Sequence, residues 1–92
     1  MLTFDDHFEI SRGDDELGNW CVLWADEPSY KRVSFLISPL ILERVLDGGN
    51  AVHQDENIKV CERERPHIEA ACFRAFANRP SNRIELELLD FL

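Results

Sequence analysis

Basic residues are scarce where this chain begins. Among the first thirty positions only Arg12 is basic, against Asp5, Asp6, Glu9, Asp14, Asp15, Glu16, Asp26 and Glu27, a balance of −7. The other sixty-two positions hold ten acids and nine bases, a balance of −1, so nearly all of the total of −8 is N-terminal. Neutralising phosphates takes Lys and Arg, so direct nucleic-acid binding is not expected. Attachment to an anionic membrane surface is not expected for the same reason. A basic protein partner fits this charge. The plainer reading of the same excess is a solvated acidic surface that keeps the chain soluble.

Glycine is scarce as well. The four glycines, at 13, 18, 48 and 49, form no G-x-G-x-x-G or Walker-type loop, so no nucleotide cofactor is expected. Cysteine stands at 21, 61 and 72 and histidine at 7, 53 and 67, with no C-x-x-C and no H-x-x-x-H. Zinc needs four converging ligands, which these spacings do not supply. Asp14-Asp15-Glu16 lacks the twelve-residue loop of alternating oxygen ligands that calcium takes. No serine sits in a G-x-S-x-G elbow. No catalytic, cofactor-binding or metal-binding residue is nominated, and the chain is expected not to be an enzyme. The longest apolar stretch, Phe35 to Leu42, is interrupted by Ser38 and Pro39 and is too short to cross a bilayer. The opening Met1-Leu2-Thr3-Phe4-Asp5-Asp6 has no basic and apolar leader pattern. A cytoplasmic location with reduced thiols is therefore the expectation.

What the chain has is clean periodicity, enough for a single domain over residues 1–92. Leu2-Thr3-Phe4 is a short strand candidate, and Phe8 and Ile10 alternate with polar neighbours up to Arg12. Gly13 to Asn19 reads as a loop. In Asn19–Ala25, Trp20, Val22 and Trp24 point one way and Cys21, Leu23 and Ala25 the other. Asp26 to Ser29 is a turn. Tyr30–Ile37 follows as a strand, with Val33, Phe35 and Ile37 on one face, and antiparallel hairpin pairing is expected.

At Ser38-Pro39 the apolar period changes from 2 to about 3.6. Ser38 suits a helix cap and Pro39 a first helical position. Ile41, Leu42, Val45 and Leu46 make one stripe, and Gly48-Gly49 is the expected stop. Leu40 falls off that stripe. A second, longer helix is expected, with Asp55 as its cap and its end at about Asn78, and with Ile58, Val60, Cys61, Ile68, Ala71, Cys72, Ala75 and Phe76 as its stripe. Pro66 inside it either kinks this helix or starts a new one. A strand over Ile58–Glu62 is a third reading, because those residues also alternate. The last element is a strand from Arg83 to Asp90 with Ile84, Leu86 and Leu88 facing in.

These elements predict an α+β domain: an antiparallel sheet of three to four strands with two helices packed on one face, in the order β-β-β-α-α-β. The Trp20–Ala25 strand is apolar on both faces, so something besides helices should cover its second face.

Four segments together resemble a known family: Leu2-Thr3-Phe4, the strand Val33–Ile37 running into a helix with Leu42-Glu43, the run Arg65-Pro66-His67-Ile68-Glu69, and Ile84-Glu85-Leu86-Glu87-Leu88-Leu89-Asp90. The chain resembles the small bacterial proteins of the domain of unknown function 1488 family along nearly its whole length. The N-terminal third matches least. The resemblance implies a compact, free-standing α+β protein, favours helix over strand before Pro66, and carries no functional residue across. The expected function is a binding or structural module, as a homodimer or with a protein partner. The alternative is an acidic inhibitor or nucleic-acid mimic that engages a basic protein through residues 1–30. Candidate interface residues are Trp20, Trp24, Asp14, Asp15 and Glu16.

Overall fold

A computed structural model describes residues 1–12, 19–46 and 54–92. It contains five strands: β1 (Thr3–Phe4), β2 (Glu9–Arg12), β3 (Asn19–Glu27), β4 (Lys31–Ile37) and β5 (Arg83–Glu85). Three helices, α1 (Pro39–Arg44), α2 (Gln54–Arg63) and α3 (Arg65–Asn78), lie between β4 and β5, and a 3-10 turn, Leu88–Phe91, ends the chain.

The sheet is built around the β3–β4 hairpin, which is antiparallel from Cys21↔Ile37 to Glu27↔Lys31. Its turn is held by Glu27, whose Oε2 accepts the amide protons of Ser29 at 2.9 Å and Tyr30 at 2.6 Å. Lys31 leaves that turn at φ 67°, a left-handed conformation in which a Cβ crowds the backbone. Lys31→Gly is expected to raise stability by about 0.5–1 kcal/mol, the relief of that crowding less glycine's extra chain entropy. Thermal unfolding would register it as a midpoint about 2–8 °C higher.

β1 and β2 share the far edge of β3. Phe4 pairs with Ala25 and Glu9 with Val22, so Asp5–Phe8 on one side stand against only Leu23 and Trp24 on the other. The edge therefore bulges between β1 and β2.

On the inner face Phe4, Ile10, Cys21, Leu23, Ala25, Val33, Phe35, Ile37 and Ile84 pack with Ile41, Leu42, Leu46, Val60, Cys61, Ile68, Ala71, Cys72 and Ala75 from the helical region. All three helices add to this one cluster, which places them on one side of the sheet. The helix-opening residues behave as expected. Ser38 Oγ accepts the Ile41 amide at 3.3 Å, Pro39 sits in the first turn, and Leu40 points to solvent at 48 % exposure.

Several expectations need correction. The sheet has five strands and is mixed, because β5 lies parallel to β4. Three helices carry the chain from the end of β4 back to its start, and a strand entered after such a crossover runs in the same direction as its neighbour. Two helices become three, since Pro66 stands in the opening turn of α3, where its missing N–H costs no bond. Over Ile58–Glu62 the expected helix is found, and the alternative strand is not. Asp55 lies inside α2 rather than capping it, and the fully buried side chain on that turn is Asn57, with Ile58 only partly covered.

The final strand stops at Glu85. Leu88 is 43 % and Leu89 72 % exposed, while Asp90 and Phe91 turn inward at 3 % and 7 %. Asp90 displaces the expected Leu88 because its carboxylate closes the turn: Oδ2 accepts the Glu87 amide at 2.8 Å. Arg79 adds two bonds to the same carboxylate, at 3.1 and 2.8 Å, and Arg74 reaches the Asp90 carbonyl at 2.9 Å. The loop expected over 13–18 and the pair Gly48-Gly49 lie outside the described residues, but α1 ends earlier than its expected glycine stop, at Arg44 with Val45 as its C-cap.

Candidate interaction face on the open side of the sheet

The face of the sheet opposite the helices follows from period-2 alternation. On β3 it presents Trp20, Val22, Trp24 and Asp26; the register places Glu9 beside Val22, and Leu36, Ser34 and Arg32 beside Val22, Trp24 and Asp26. Val22 and Leu36 are buried at 4 % and 7 % exposure, yet neither belongs to the helix-side core. Trp20 and Trp24 are partly exposed.

Trp24 is fixed on two sides. Its indole N–H donates to Glu9 Oε2 at 3.0 Å, and the Arg32 guanidinium lies 5.3 Å from its ring centroid. Arg32 in turn grips Asp5 with both terminal nitrogens, at 2.9 and 2.5 Å, and reaches Asp26 at 3.1 Å. The paired, bonded guanidinium holds the Asp5 carboxyl below the usual carboxylate range, against a smaller opposing effect of burial. Asp5 and Asp26 likewise strengthen the hold of Arg32 on its proton.

The bulge that carries Asp5 is bracketed from behind by Arg65, the first residue of α3. Its guanidinium donates to the backbone carbonyls of Asp5 and Asp6, lies 5.6 Å from the Phe8 ring centroid, and is oriented by Glu69 Oε2 at 2.6 Å. His67 next to it meets the Phe91 carbonyl at 3.3 Å and the Phe91 ring edge-on. The run Arg65-Pro66-His67-Ile68-Glu69 thus starts a helix, braces the N-terminal bulge, touches the C-terminal turn and puts Ile68 in the core. An open groove of about 440 Å³ runs along the bulge, lined by Phe4, Asp5, Asp6, His7 and Glu9.

The cysteines are packing groups. Cys21 on β3 and Cys61 on α2 are both fully buried, and the Cys21 thiol beside it together with burial pushes the Cys61 thiol far above its ordinary range. Burial does the same to Cys72. A thiol that cannot ionise is a poor nucleophile and metal ligand. Among the described residues no group of three or more His, Cys, Asp or Glu is placed to hold a metal ion, and no helix is long and apolar enough to cross a membrane.

Of the nominated interface residues, the structure places Trp20 and Trp24 on one face. Asp14, Asp15 and Glu16 lie outside the described residues. Reading the chain element by element missed Asp5, Glu9, Asp26 and Arg32. The signal for two of them was present, since a hairpin closing at Glu27↔Lys31 sets Asp26 opposite Arg32 and Trp24 opposite Ser34. Asp5 and Glu9 depend on the bulge, which no local pattern announces. Comparison with protein families, curated proteins and solved structures finds no match to this chain.

Proposed function

We propose that this chain is a non-enzymatic binding module that docks a basic protein partner on the helix-free face of its sheet. The observation that carries the reading is the coincidence of two features on one face: the partly exposed tryptophans and the carboxylates of Asp5, Glu9 and Asp26. Asp5, Glu9 and Asp26 rim Trp24, and Arg32 stacks on it. Aromatic residues ringed by charge are common anchors of protein interfaces. Acting as an inhibitor or nucleic-acid mimic is the form such docking takes when the partner's own ligand is a polyanion. A homodimer through the same face is disfavoured, since face-to-face copies set like carboxylates against each other. Kinship with the domain of unknown function 1488 family, a bacterial source and a reducing cytoplasm belong to the proposal; the resemblance and three cysteines left as free thiols support it.

The test combines capture with a mass measurement. The tagged chain is expected to retain a basic protein at low salt, and the affinity of that purified pair is expected to fall about tenfold or more between 50 and 500 mM salt, as screening shortens the reach of surface charge. The double variant Glu9→Gln, Asp26→Asn should weaken the pair at low salt and flatten its salt response. A dimer that persists at high salt by light scattering, with no salt-sensitive partner, would replace this reading with self-association.

A further inference from the structure

We infer that the Trp20–Glu9 part of this face is a seat for an arginine side chain of the docking partner. The inference rests on the docking reading above and names the chemistry the partner must present.

The face already holds one guanidinium. Arg32 stacks on Trp24 at 5.3 Å while its N–H groups engage the Asp5 and Asp26 carboxylates. Ring below and carboxylate at the rim is the arrangement that suits a planar, delocalised cation with in-plane donors. Trp20 repeats the aromatic half of it on the same strand and the same face, separated from Trp24 by Val22. Glu9 repeats the acidic half. It stands across from Val22, between the two tryptophans, and is exposed. One of its oxygens takes the Trp24 indole proton, which fixes the carboxylate, and the other accepts no bond among the described residues.

Among the described residues no cation completes this second seat. Among the described residues the guanidinium stacks fall on Trp24 and Phe8 only. Arg83 pairs with Ser34, on the far side of Trp24 from Glu9. The charge around Trp24 is acidic, with Asp5, Glu9 and Asp26 against Arg32, and Arg83 lies two strands away on β5. An incoming cation meets attraction, an aromatic platform and a pre-oriented carboxylate. Lysine would gain the first alone in full, because an ammonium cannot stack flat and donate in the ring plane together.

A hexa-arginine peptide and a hexa-lysine peptide, titrated into the whole chain and followed by amide chemical shifts and tryptophan fluorescence, test this. The arginine peptide is expected to bind about fivefold more tightly, with shifts centred on Trp20 and Val22. Trp20→Leu, which keeps apolar cover, and Glu9→Gln, at an exposed position, should each weaken the arginine peptide about fivefold and remove its advantage over lysine. Far-UV spectra and melting midpoints show that the variants are folded. Shifts spread over Trp24, Ser34 and Leu36, with equal affinity for both peptides or no effect of the two variants, would overturn the arginine seat and leave the docking face standing. No shift on this face with either peptide would overturn both.

Discussion

Asp90→Ala is expected to cost about 2–3 kcal/mol of stability, the range for losing charged hydrogen bonds from a buried acceptor. Asp90 is 3 % exposed, and its carboxylate closes the last turn on Glu87 and fastens that turn to α3 through Arg79. Arg79, at 39 % exposure, can turn its freed guanidinium to water, which keeps the loss below that of a fully buried pair. The effect has a pH signature. Burial opposes the charge on Asp90, but the Arg79 and Glu87 bonds and the nearby Arg74 outweigh it and hold the carboxyl below its ordinary pKa. A depressed folded-state pKa means the unfolded chain binds the proton first as pH falls. The contribution of Asp90 is therefore complete above about pH 4 and drains away below it. Urea unfolding at pH 7 and at pH 3 should show a wild-type advantage over Asp90→Ala that shrinks at the lower pH. An advantage unchanged by pH would mean that the ion pair is not its source.

Phe35→Ala should cost more, about 3–5 kcal/mol, the span for deleting a large ring from a closed core. Phe35 is fully buried at the middle of β4, paired with Leu23 on one side and Ile84 on the other, and its ring centroid lies 6.1 Å from that of Phe4. A domain of this size has roughly 5–12 kcal/mol in total. The variant should be partly unfolded near body temperature, whereas Phe35→Leu, which keeps most of the volume, should lose only about 1–1.5 kcal/mol. Calorimetry on the pair separates volume from general fragility. Similar losses for both would place the ring outside the tight core.

Local rules were most reliable where the determinants sit close together in the chain. The β3–β4 hairpin, the Ser38-Pro39 helix start and the inward stripe of α1 each depend on neighbours within one or two turns, and each is found. The chain gave no local sign of what long-range partners decide. Ile84-Glu85-Leu86-Glu87-Leu88 alternates like a long strand, but Arg79 and Arg74 draw Asp90 inward and curl the segment after Leu86. The parallel pairing of β5 depends on the route of three helices. In the candidate face the tryptophans were legible from alternation alone, whereas the acid rim needed Asp5 and Glu9 to be carried to β3 by a bulge that Arg65 braces from 60 residues away.

The return of β5 to β4 also bears on how the chain is made. Asn82 sits at the mouth of that pairing, its side-chain amide donating to the Tyr30 and Arg32 carbonyls and its own carbonyl accepting from Ser34, across 48 to 52 residues of sequence. A ribosome releases β4 long before it releases this partner. Until then β4 is an open edge, with Val33, Phe35 and Ile37 on a ribbon that any other strand can join. Closure waits for Asn82 and β5, so a truncation before Arg83 should convert a folded domain into a chain that aggregates or engages chaperones.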